Sequence, residues 1–234
     1  MLVPAFQIPS PVVVLSPAML TAWILALALC VQAAPSSRNT WEKEYAKGTP
    51  ESFAARFEEP SRALFRYRAA MAGLMQIKPG MTVAEVGAGS GYLSRYLVEK
   101  VGPTGRVIVN ELEPKMVAYM TERAAREGVK NFQAVQGQAA STGFEPASID
   151  AMAVVYAFSF FDQPAGMLKS MNASLKPNGL LLIVDVPREG IDSSASGMDA
   201  EEVVALATAA GFTRERENGI VPGHYALIFR KKQI

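Results

Sequence analysis

The residues with the clearest chemical meaning follow a short β-branched run: Glu85, Gly87, Gly89 and Gly91, in the order E-x-G-x-G-x-G. Glycines after a strand let the main chain turn sharply, so that N–H groups at the start of the next helix can approach a ligand. A dinucleotide loop has the spacing G-x-G-x-x-G. Here the third glycine of that pattern is replaced by Tyr92, which argues against a dehydrogenase. The acid sharpens the reading further, because a carboxylate beside the loop repels a pyrophosphate and attracts an ammonium group. Glu111 comes twenty residues after Gly91, where a carboxylate can accept hydrogen bonds from both ribose hydroxyls. A ligand with a ribose, a cationic amine and no phosphate meets these demands, and S-adenosylmethionine is such a ligand.

Elements must hold these residues in place, and the chain alternates accordingly. Thr82–Val86 reads as a strand, and Tyr92–Lys100 as a helix ended by Gly102-Pro103. Arg106–Asn110 reads as a second strand and Pro114–Arg126 as a helix stopped by Gly128. Phe132–Val135, Asp150–Tyr156 and Leu180–Val184 are further strands, with a helix over Pro164–Leu175 between the last two. Upstream, Pro60–Ile77 follows a helical period, with Leu64, Phe65, Ala69, Met71, Leu74 and Met75 as its apolar stripe. Downstream, Asp199 and Glu202 form a capping-box pattern opening a helix that runs to Gly211. Thr213–Asn218 and His224–Arg230 then read as a closing hairpin. Strands alternating with helices imply an α/β, Rossmann-like doubly wound architecture. The expected sheet is seven-stranded and mostly parallel, with an antiparallel C-terminal edge strand.

Composition bounds the rest. With 234 residues, half of them hydrophobic and a net charge of +1, the chain suits one globular domain, and nucleic acid is not an expected partner. From Met1 to Ser37 there is no charged side chain, and Ala18–Val31 is a nearly unbroken apolar run followed by Gln32-Ala33-Ala34. Residues 1–34 therefore read as a signal peptide cleaved near Ala33 or, counting from 11 to 31, as a membrane anchor. The first alternative implies an exported protein, periplasmic or secreted; the second implies membrane association. Residues 35–59 read as a polar linker or lid, and 60–234 as the chemical domain. The single cysteine, Cys30, lies in the apolar run, so the domain offers neither a disulfide nor a thiol-ligated metal site.

On Val83–Tyr92, Val107–Pro114 and Leu175–Gly179, the sequence resembles the class I S-adenosylmethionine-dependent methyltransferases over about residues 77–231. It is similar to their small-molecule branch, which includes ubiquinone and menaquinone biosynthesis enzymes. The resemblance implies that Glu85, Gly87, Ala88, Gly89 and Gly91 hold the methionine portion, that Glu111 takes the ribose, and that Leu112 lies on an adenine face. Where the family usually has an acid after the third strand, this chain has Gln138, which can still accept and donate hydrogen bonds to adenine.

The same resemblance implies a methyltransferase acting on a small or lipid-like acceptor. A cofactor-binding protein without turnover is the other class kept open. Methyl transfer draws its reactivity from the cofactor, leaving the protein to align donor and acceptor. The family's variable catalytic residues follow the fourth strand, here Val155–Asp162, and Tyr156 is the candidate lining the methyl site. Asp162 reads as a helix cap or a base. His224, the chain's single histidine, is expected far from the site in a structural role. Trp41, Tyr45, Phe53 and Phe57 are candidates for a lid.

Overall fold

The computed structural model describes residues 43–188 and 197–232. The signal or anchor assigned to residues 1–34, and Trp41 of the lid, lie outside the described residues. Among the described residues, no helix is long and apolar enough to cross a membrane.

The sheet has seven strands in the order β3-β2-β1-β4-β5-β7-β6. These are β1 (Thr82–Val86), β2 (Arg106–Glu111), β3 (Phe132–Gln136), β4 (Ile149–Val155), β5 (Leu175–Asp185), β6 (Phe212–Asn218) and β7 (Tyr225–Lys231). The first five run parallel, while β7 runs antiparallel against both β5 and β6. The doubly wound, mostly parallel sheet expected from the sequence is present. The hairpin enters it so that β7 lies one place in and β6 forms the edge.

Strand parity divides the core between the two faces of the sheet. Val83, Val107, Val109, Ala153 and Leu182 pack on one side, with Leu93 and Leu97 of the helix α4 (Tyr92–Val101). Ala84, Val86, Ile108, Val154 and Ile183 pack on the other, with Leu168 and Met171 of α6 (Pro164–Ser174). Near-continuous apolar runs in β4 and β5 suit a sheet covered on both faces. Glu85 has the parity of Val83, which turns its carboxyl toward α4 rather than α6.

Before β1 lie α1 (Pro50–Phe57), α2 (Ala63–Arg66) and α3 (Arg68–Leu74). The Thr49–Ser52 capping box opens α1 and Pro50 fills its first turn. The single helix expected over 60–77 is two short ones joined at Tyr67, whose backbone (φ −92°, ψ 9°) leaves the helical region. Tyr67 satisfies both halves: its N–H donates to the Ala63 carbonyl and its carbonyl accepts from Met71, each at 2.9 Å. Both short helices bury apolar side chains, Leu64 from α2 and Met71 from α3. Later, α5 (Pro114–Arg126) is capped by Glu113, and α7 (Ala200–Ala209) carries the expected Asp199–Glu202 capping box.

Candidate functional site

A cavity of about 610 Å³ opens where β1, β2 and β4 end. The strand order reverses direction between β1 and β4, the place where open α/β sheets bind ligands. The loop after β1 is shaped by φ values of 74° at Gly87 and 56° at Gly89. At Gly87 a side chain would be both strained and obstructed, because a Cβ there would lie 2.6 Å from that of Ala157. Asn110, at the end of β2, holds the loop from below. Its Oδ1 accepts from Gly87 N–H at 3.1 Å, while its Nδ2 donates to the Thr142 carbonyl at 3.0 Å.

Both acids named from the sequence face this cavity. Glu85 is 1% exposed and accepts a short hydrogen bond from the Ser94 hydroxyl. Burial pushes its carboxyl up to about 8, with the Ser94 bonds opposing that rise and the nearby Glu111 charge adding to it. Glu111 is 7% exposed and accepts from the N–H groups of Gly89 (2.8 Å), Leu112 (2.7 Å) and Glu113 (3.2 Å). Burial raises its pKa as well, against those three backbone donors. A carboxylate offers about four acceptor positions, so Glu111 is oriented by the loop and keeps little more than one position for a ligand.

The remaining sequence candidates divide. Ala88, Leu112, Gln138 and Tyr156 line the cavity. Leu112 is the exposed large apolar side chain among the described residues, at 37%, as suits a surface awaiting a flat partner. Gln138 is exposed, and its backbone is held in a tight turn by paired bonds with Ser141. Gly91 does not reach the main cavity. It caps α4 with φ 75° and faces Met120 behind the loop, because the chain has already turned away into the helix.

At the other end of the cavity, Tyr156 has φ 53°, an uncommon backbone conformation for a bulky residue. Its N–H is tied to the Val184 carbonyl at 2.7 Å. The turn that follows, Phe158–Phe160, hangs on Asp185, which is fully buried at the end of β5. Asp185 accepts from Ser159 N–H (3.0 Å), Ser159 hydroxyl (3.3 Å) and Val186 N–H (2.8 Å). Burial pushes its carboxyl up to about 6, with these bonds opposing. Asp162 lines the cavity, and the cap position of α6 belongs to Gln163.

The expectation that His224 lies far from the site is corrected. The β6–β7 hairpin folds back so that its ring centroid is 6.2 Å from that of Tyr156. Its Nδ1 is 2.8 Å from the Pro222 carbonyl, an acceptor only, so Nδ1 carries the proton of the neutral ring. Burial lowers its pKa.

Three contributors escaped the sequence reading: Asn110, Asp185 and Arg62. The first two carry a usable signal, a polar residue ending an otherwise buried strand. Arg62, before α2, carries none, since only folding brings it to the cavity. The lid candidates Tyr45 and Phe57 also line the cavity, and Phe53 packs on Tyr45 with ring centroids 4.7 Å apart. The Phe57 ring approaches Gly89 so closely that a Cβ there would meet it at 3.2 Å.

These residues fit S-adenosylmethionine. The loop leaves room for a close main-chain approach, two buried carboxyls await a cation and hydroxyl donors, and Leu112 lies open for a ring.

Comparison with known proteins agrees on the class. Residues 83–179 match the family described as "Methyltransferase domain". This match, over about two fifths of the chain, is to a methyltransferase domain, the kind of domain that takes S-adenosylmethionine. Among curated proteins, the ubiquinone/menaquinone biosynthesis C-methyltransferase of Ectopseudomonas mendocina is 30% identical over 118 residues, 50% of this chain and 46% of that protein. The corresponding enzyme of Legionella pneumophila subsp. pneumophila is 31% identical over 48% of this chain and 45% of its own length. The chain thus spans about half the length of the curated relatives it matches. Among solved structures, a SAM dependent methyltransferase from Aquifex aeolicus superposes with a TM-score of 0.71 at 23% identity, covering 79% of this chain and all of that one. The [4+2]-cyclase SpnF superposes at 0.63 with 16% identity over 71% of this chain and 80% of its own. These two likenesses show the fold.

Proposed function

We propose that the protein is an S-adenosylmethionine-dependent methyltransferase acting on a small or lipid-like acceptor. The observation that carries this reading is the pair of buried carboxyls at adjacent parallel strand ends, Glu85 and Glu111, on either side of the glycine loop. When bound, the cofactor supplies an electrophilic methyl group on a cationic sulfur. Glu85 would then gain a cation for its buried carboxylate. Glu111, already aimed by three backbone donors, would accept from the ribose. Leu112 would offer its exposed side chain to the adenine. The aromatic wall formed by Tyr45, Phe57, Tyr156 and Phe160 excludes water from the reacting centre. Its apolar character supports an apolar acceptor. The relatives' description as C-methyltransferases supports carbon as the accepting atom.

Calorimetry on the full-length protein tests this reading. S-adenosylmethionine and S-adenosylhomocysteine should bind and NAD should not; equal affinity for NAD would overturn it. A companion proposal concerns location. The charge-free segment from Met1 to Ser37 supports export with cleavage after Ala33. Intact-mass analysis of protein from its native host should find a chain beginning near Ala34, and a full-length cytoplasmic species would refute export.

A further inference from the structure

Arg62 lines the cavity, yet among the described residues it pairs with no carboxylate. Its Nη1 donates to the Phe57 carbonyl at 3.0 Å. Otherwise the guanidinium meets aromatic rings: Cζ lies 5.4 Å from the centroid of Tyr92, 5.5 Å from Phe57 and 6.0 Å from Tyr156. A guanidinium carries five N–H donors and stays charged at any working pH. Held against apolar rings with one acceptor, it is short of partners that an anion would supply.

A second observation points the same way. The Tyr92 hydroxyl is buried beside this cation, which can only donate to it, and no acceptor for the hydroxyl proton lies within reach among the described residues. Tyr92 also lines the cavity, so one corner brings together a guanidinium with a single carbonyl acceptor and a hydroxyl proton with none. We propose that Arg62 and the Tyr92 hydroxyl form an anionic-oxygen subsite, and that the methyl acceptor is an apolar or aromatic molecule carrying an acid group. The inference deepens the methyltransferase reading and rests on it.

An anionic oxygen could also come from the cofactor's own methionine carboxylate, and position favours the acceptor. Arg62 extends beyond the glycine loop to Tyr156 at the end of β4, and its charge is felt at His224 in the β6–β7 hairpin. Tyr156 lines the cavity at the β4 end, away from Glu111 on β2, and His224 packs against the Tyr156 ring. Three rings around the cation suit a flat or aliphatic body attached to the acid. Burial lowers the His224 pKa, which leaves Arg62 as the standing positive charge of this corner.

Calorimetry on the full-length protein decides the matter with benzoate, 2-naphthoate and decanoate, each paired with its amide, with and without saturating S-adenosylhomocysteine. At least one carboxylate should bind about tenfold or more tighter than its amide, as a charge-assisted pair implies. Arg62→Met should erase that preference while changing S-adenosylhomocysteine affinity by less than about threefold. Tyr92→Phe, which removes one oxygen and keeps the packing, should reduce the preference in a chain of unchanged melting temperature. If no carboxylate is preferred over its amide, there is no such subsite for an acceptor. If Arg62→Met instead weakens S-adenosylhomocysteine about tenfold or more, and leaves 5′-methylthioadenosine untouched, the anion is the cofactor's and the proposal falls. Failure of S-adenosylhomocysteine to bind the wild-type chain would sink the methyltransferase reading itself. The acid preference measured without it still reports on the corner.

Discussion

The two ends of the cavity are built by different means. At the β1–β2 end, the contacts are short in sequence: Glu85, the glycines, Asn110 and Glu111 lie within 27 residues and are locked by main-chain bonds. At the β4–β5 end, Arg62, Tyr156, Asp185 and His224 come from four distant segments and meet through rings and one buried carboxyl. The first end is a rigid cradle whose geometry is set by backbone dihedrals. The second is a wall whose shape depends on tertiary packing, so substitutions can change it without disturbing the cradle. Enzymes that share a cofactor and differ in acceptor need that separation.

The comparison breaks most severely at Gly87. Gly87→Val places a β-branched residue at φ 74° with its Cβ in the path of Ala157. A loss of about 3 kcal/mol or more in urea unfolding is expected, with cofactor binding abolished. A loss under about 1 kcal/mol would show that the loop is more compliant than its geometry implies.

Glu85→Gln should separate binding from stability. The folded chain holds a proton on Glu85 between about pH 4.5, the ordinary value, and about pH 8. The unfolded chain releases it, so stability falls as pH rises through that window. Removing the charge should therefore stabilise the protein at pH 8, by about 1–3 kcal/mol in a denaturant titration. Cofactor affinity should drop about ten- to a hundredfold. In the wild type, binding a cation favours the carboxylate, so affinity should rise between pH 6.5 and 8 with proton release into the buffer. Glu85→Gln should flatten that profile, and an unchanged slope would place the titrating group elsewhere.

Asp185→Ala probes the other end. It strands the buried N–H groups of Ser159 and Val186, at a cost of about 1–3 kcal/mol in thermal or urea unfolding. Because the cradle does not depend on it, S-adenosylhomocysteine affinity should change by less than about threefold. A larger change would mean that the two ends are coupled.

The smallest effect is expected at Gln138. Its side chain is exposed, so Gln138→Leu should weaken cofactor binding by about 1 kcal/mol or less by calorimetry. A loss above about 2 kcal/mol would make it a buried partner of the adenine when the site is filled.

The cradle was legible before folding because its signals are local. Left-handed turns favour glycine, a buried carboxyl at a strand end calls for a partner, and alternating strands and helices imply a parallel sheet. Glu85, Gly87, Gly89 and Glu111 could thus be placed from spacing alone, as could the capping box at Asp199. Three readings failed or stayed silent for a complementary reason. The helix over 60–77 is interrupted at Tyr67, whose backbone leaves the helical region although the apolar spacing runs on across it. His224 reaches Tyr156 because β7 inserts beside β5, a pairing that no local pattern encodes. Arg62 enters the cavity because its short helices dock across the cradle, bringing a cation to rings up to 94 residues away. Local backbone preference is a property of neighbouring residues. The company a side chain keeps across the sheet is decided only when apolar faces are buried together, and there the acceptor end of this protein acquires its chemistry.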